Sequence, residues 1–171
     1  FAGNSHSKLY VEEVGGKENQ GLPKFNVALE RDKINVGNVL REAGYTTGFV
    51  GKFHLTSQSD FPEFYRGKER WINISKNASP GPEISAQFKH NERWMRRYLK
   101  MLGFSWAKNV YPENTPKPYS EHNPEWTTVA ALEFIEANKD GPFYLHLCST
   151  LLHGPDRSWR KSMDHPLITG E

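Results

Sequence analysis

Apolar residues recur at helical spacing over Val36, Val39, Leu40 and Ala43, with Asn35 placed to cap the start and Gly44 just past the end. The run 46–50 follows at once. Its Thr, Phe and Val residues suit a pleated surface, and it is too short for a helix, so it predicts a buried strand. A second unit of the same kind lies near the end. Asn123 can cap and Pro124 suits the first helical position, while Val129, Leu132 and Ile135 share a face widened by Ala131 and Phe134. Residues 138–142 break that helix, and 143–149 (FYLHLCS) form a mostly apolar run of the kind found in a strand covered on both faces.

Helix then buried strand, twice over, predicts an α/β fold with a mostly parallel sheet flanked by helices. The core units span about 34–55 and 123–155, with an insertion over about 56–122. Within it, 55–85 reads as a polar, aromatic-rich surface excursion. Residues 86–103 read as a helix with Trp94, Met95, Tyr98, Leu99 and Leu102 as its apolar stripe and Lys89, Arg93, Arg96, Arg97 and Lys100 opposite. Residues 111–124, with four prolines, read as a stiff connector, and 1–33 as an irregular surface segment.

Composition narrows the function. The 171 residues are 36% hydrophobic and 25% charged, enough for one packed domain. Lys plus Arg number 22 against 20 for Asp plus Glu, a formal charge of +2 without a dominant basic run, which argues against a nucleic-acid partner. No segment approaches the roughly 20 apolar residues of a membrane-spanning helix. The single cysteine, Cys148, excludes an internal disulfide framework and any multi-thiolate metal site.

In open α/β sheets ligands bind beyond the carboxyl ends of the strands. The first predicted strand exits into Gly51-Lys52-Phe53-His54-Leu55, the second into Thr150-Leu151-Leu152-His153-Gly154-Pro155. One lysine and two histidines thus leave strand ends that can share a sheet edge. The set suits an anionic substrate: an ammonium presents a compact charge and three donors to a sulfate or phosphoryl oxygen, and histidine can donate a proton to a leaving group near neutral pH. Taken singly, each of the three also reads as an ordinary surface or loop residue.

With their flanks these residues are more specific. The stretch 40–55 (LREAGYTTGFVGKFHL) closely resembles a signature of the sulfatase family, a helix ending in A-G-Y-x-T, a short strand, then G-K-x-H-L. Residues 142–147 (PFYLHL) with His153-Gly154-Pro155 resemble the family's second landmark, an apolar strand leading to P-H-x-P. The resemblance implies an alkaline-phosphatase-like fold and hydrolysis of a sulfate monoester, from a small-molecule or carbohydrate sulfate ester, by a formylglycine nucleophile with a divalent cation, usually calcium. It also implies roles. Lys52 would bind the sulfate and contact the formylglycine, His54 would hydrogen-bond the formylglycine hydroxyl, and His153 would bind near the bridging oxygen and protonate the departing alcohol. A periplasmic, secreted or lysosomal-like compartment is implied by the family alone.

Departures shape the expectation. The family's nucleophile arises from C/S-x-P-x-R, but Cys148 is followed by Ser149-Thr150-Leu151-Leu152 and reads instead as a packed strand residue. The aspartate pair and the D-N-G-type metal ligands of the family are not recognisable, and Leu152 stands where the second landmark has Pro. In the family the nucleophile and aspartates precede G-K-x-H, and the remaining metal ligands follow P-H-x-P. The chain therefore reads as the middle of a sulfatase catalytic domain, inactive alone, with metal ligands and formylglycine outside this segment. Two other readings stay open: a phosphate or phosphonate monoesterase of the same superfamily, and a non-catalytic anion- or glycan-binding relative. The basic face of 86–103 reads first as a solvated helix side and second as a surface for a sulfated polysaccharide. Asn73-Ile74-Ser75 and Asn77-Ala78-Ser79 match the N-glycosylation triplet.

Overall fold

A computed structural model of the chain describes residues 13–14, 17–18, 33–53, 71–75, 78–79, 81–112 and 123–150. Two two-residue strands, β1 (Glu13–Val14) and β2 (Lys17–Glu18), pair antiparallel. The rest of the described chain runs α1 (Val36–Glu42), β3 (Thr46–Lys52), α2 (Pro82–Met101), β4 (Trp106–Tyr111), α3 (Asn123–Asn138) and β5 (Phe143–Cys148). Strands β3, β4 and β5 form one parallel sheet in the order β4-β3-β5. This is the expected α/β architecture.

Helix α1 starts where expected because the Asn35 side chain accepts from the Gly37 N–H at 2.8 Å, and the Asn38 side chain answers by accepting from the Asn35 N–H at 3.3 Å. Beyond its end, the N–H of Tyr45 bonds back to the Leu40 carbonyl at 3.0 Å, and the chain turns directly into β3. One face of β3 meets α2. Phe49 and Phe53 join Met95, Tyr98, Leu99, Leu102, Phe104, Ala107 and Val110 in the buried core. Here the predicted stripe of 86–103 packs inward as expected. Trp94 is the exception, half-buried with the Arg97 guanidinium 5.0 Å from its ring centre. The cationic side chains Lys89, Arg93, Arg96, Arg97 and Lys100 lie exposed.

The other face meets α3. Gly48 permits this approach, since a Cβ there would stand 2.6 Å from the Phe134 ring. Phe134 also packs against Trp106 and Phe143, with ring centres 5.1 and 5.7 Å away.

Three expectations are corrected. Residues 106–111, expected to lie within an insertion, form β4, which pairs with β3 and receives α2 as its crossover helix. On α3 the buried positions are Asn123, Thr127, Ala130, Ala131 and Phe134, whereas Val129 and Leu132 are each 61% exposed and Ile135 is 39% exposed. A helix apolar on nearly all sides has no single stripe to orient it. Strand β5, expected to be covered on both faces, is half-buried and leaves Leu147 exposed.

Candidate active site

All three parallel strands end at the same edge of the sheet, and that edge is built around a bulge. The register runs Val50 to Lys108 and then Gly51 to Val110, so Asn109 is the extra residue of β4. It takes φ 53°, and Gly51 opposite takes φ 96°. A side chain at Gly51 is barred twice over, because its Cβ would lie 2.2 Å from the Cys148 carbonyl oxygen. The ladder then resumes: Lys52 pairs with Tyr111, and the Phe53 N–H donates to the Tyr111 carbonyl at 2.8 Å. Lys52 is thereby held at the strand's last position, partly exposed, between a bulge and a buried phenylalanine.

Behind it lies a polar group that sequence reasoning did not single out as functional. The Tyr111 hydroxyl donates to Asn123 Oδ1 at 2.7 Å, and the Thr150 hydroxyl reaches the same oxygen at 3.4 Å. These three residues come from the end of β4, the start of α3 and the exit of β5. Burial pushes the Tyr111 hydroxyl up to about 12, so it stays a proton donor at neutral pH. The only sequence signal was Asn123 itself, read as a helix cap.

Cys148 closes β5 against the core. Burial raises its thiol to about 11, which leaves it protonated and unsuited to nucleophilic attack. His146 stacks on Phe49 with ring centres 5.0 Å apart and lies 2.8 Å from the Tyr144 hydroxyl through Nδ1; burial lowers its pKa and keeps it neutral. Cys148 thus stands at the carboxyl edge as a protonated group, and His146 lies two residues before it on β5.

A family model for the sulfatases matches residues 6–162. The chain belongs to the sulfatase family. Comparison with curated proteins gives no match. Family membership makes the protein a hydrolase of sulfatase type, and the parallel sheet with flanking helices is the α/β fold of part of such a domain.

Within this sulfatase-family chain, Lys52 stands at the end of β3, while His54 and His153 lie outside the described residues. What the fold brings together is their points of departure. Gly51 of β3 is the register partner of Cys148 of β5, so the chain carrying Lys52 and His54 and the chain leading to His153 leave from neighbouring strands at one edge. Among the described residues, no three His, Cys, Asp or Glu side chains gather to hold a metal ion. No described helix is long and apolar enough to cross a membrane.

Proposed function

We propose that the protein hydrolyses a sulfate monoester, with Lys52, His54 and His153 as its contribution to the active site and with the formylglycine and divalent cation held by residues outside this segment. The observation that supports the proposal is the parallel register of β3 and β5, by which the strand carrying Lys52 and the strand that precedes His153 in sequence end at one edge of the sheet. A formylglycine and a divalent cation, held by residues outside this segment, would supply the attacking oxygen and draw charge from the sulfate.

The chain's own residues do the rest. The Lys52 ammonium donates to a sulfate oxygen and offsets the negative charge that gathers there as the bond to the alcohol lengthens. As that sulfur–oxygen bond breaks, its electron pair stays on the ester oxygen, and the His153 imidazolium gives that oxygen a proton. His54 accepts a hydrogen bond from the hydroxyl on the attacking side and takes up its proton when sulfate departs.

Turnover of 4-nitrophenyl sulfate by the full-length protein tests the reading. Lys52→Ala and His54→Ala are each expected to lower kcat by about a hundredfold or more. Unchanged rates in both variants would overturn the roles, and a marked preference for 4-nitrophenyl phosphate would favour a phosphate monoesterase.

A further inference from the structure

Both strand exits are held at Tyr111. Its backbone carbonyl accepts the Phe53 N–H at 2.8 Å, one residue beyond Lys52, so the main chain of β4 fixes how β3 ends. Its hydroxyl donates to Asn123 Oδ1 at 2.7 Å, and the Thr150 hydroxyl donates to the same oxygen at 3.4 Å. Thr150 stands two residues past β5 and three before His153. An amide oxygen offers two lone pairs, and here each meets a hydroxyl from a different strand's end.

Asn123 gives the two hydroxyls a fixed point. It is buried at the start of α3, and its carbonyl accepts the Thr127 hydroxyl at 2.9 Å, within the first helical turn. The same turn is moored to β4, because the Asn109 side chain donates to the Trp126 carbonyl at 2.6 Å. The Trp126 ring in turn lies 6.0 Å from that of Tyr111. Burying a phenol costs free energy that a phenylalanine would avoid, so packing alone gives no reason for the hydroxyl.

We propose that Tyr111 is a positioning residue for ester cleavage, setting the spacing between the two strand exits. Its carbonyl holds the exit that carries Lys52, and its hydroxyl, through Asn123, holds the exit that precedes His153 in sequence. This rests on the function proposed above, in which Lys52 binds the sulfate and His153 protonates the departing alcohol. Loosening the second exit therefore impairs proton delivery and leaves sulfate binding in place. The loss is greatest for an alcohol that leaves poorly without a proton.

Tyr111→Phe removes the hydroxyl and keeps the ring and the carbonyl. In the full-length protein its kcat for phenyl sulfate should fall about tenfold or more, but its kcat for 4-nitrophenyl sulfate, whose phenolate leaves readily, by no more than about threefold. KM for either ester should change by less than about twofold. Thr150→Val, at a half-buried position, should give the same split between the esters, and Thr150→Ser should return wild-type rates. Because both hydroxyls act through Asn123, the double variant Tyr111→Phe/Thr150→Val should be no slower than the slower single variant. Hydrogen exchange over residues 146–150 should quicken in Tyr111→Phe, with or without turnover. Equal losses on the two esters, losses that multiply in the double variant, or an unchanged rate on phenyl sulfate would each overturn the positioning role. Unchanged exchange would overturn the tie itself. A wild type that cleaves neither ester, with exchange still quickened in the variant, would overturn the hydrolase reading and leave the tie between the strand exits standing.

Discussion

Gly51 and Cys148 face each other across β3 and β5 so closely that no side chain fits between them: a Cβ on Gly51 would reach within 2.2 Å of the Cys148 carbonyl oxygen. Because Gly51 also holds φ 96°, Gly51→Ala combines backbone strain with a backbone clash. It should destabilise the protein by at least about 2 kcal/mol. Urea unfolding measures this, and the same variant should move Lys52 enough to lower aryl sulfate turnover even where the protein remains folded.

Thr47 ties the beginning of β3 to the turn before β4. Its hydroxyl donates to the Gly103 carbonyl at 2.7 Å and accepts from the Ser105 N–H at 3.0 Å, while fully buried. Thr47→Val keeps the shape and removes both bonds, leaving a carbonyl and an N–H short of a partner. A loss of about 1–3 kcal/mol is expected. Thr47→Ser, which keeps the hydroxyl, should recover most of it in the same unfolding assay.

Asn109 occupies the left-handed region and uses its side chain to hold Trp126. Asn109→Ala loses the bond and keeps the strain; Asn109→Gly loses the bond and relieves the strain. Stability should therefore rank wild type, then Asn109→Gly, then Asn109→Ala, with the two variants about 1 kcal/mol apart. Thermal unfolding of the three proteins tests the order, and equal melting temperatures for the two variants would contradict the strain argument.

Burial raises both Cys148, to about 11, and Tyr111, to about 12. A raised folded-state pKa means that the unfolded chain releases its proton first as pH rises. The stability contributed by each neutral group is thus complete below the unfolded values of 9.0 and 10.0 and is lost through the windows 9 to 11 and 10 to 12. Buried Tyr111 should contribute up to about 2.7 kcal/mol across its window, and Cys148, screened by its partial exposure, about 1 kcal/mol. Urea midpoints measured from pH 8 to pH 11.5 should fall, and Tyr111→Phe should flatten the upper part of the curve. Iodoacetamide should label Cys148 slowly at pH 8.

The two outer units were legible because local signals agreed with tertiary ones: Asn35 caps α1, Gly44 follows it, and Phe49 and Val50 sit in a strand buried on both faces. Strand β4 was not, since Lys108 and Asn109 interrupt its apolar run. Their reasons for being there, an ion pair to Glu133 and a bulge opposite Gly51, are tertiary. Orientation of α3 was hidden for the opposite cause: Val129, Leu132 and Ile135 matched the helical period as well as Ala130 and Phe134, and only the glycine gap at Gly48 selects Phe134. At the site, Lys52 was legible from G-K-x-H, whereas Tyr111, Asn123 and Thr150 meet only once three separate segments converge.

The bulge at Asn109 has a last consequence for how the sheet can grow. Among the described residues β4 and β5 are its two flanks. On the β4 flank, the Asn109 N–H is already taken by Glu92 and Lys108 carries a charge, so an incoming strand finds a broken template. Among the described residues the β5 flank carries no bulge and no charged side chain, so of the two described flanks it is the one that offers an unbroken ladder to a further strand.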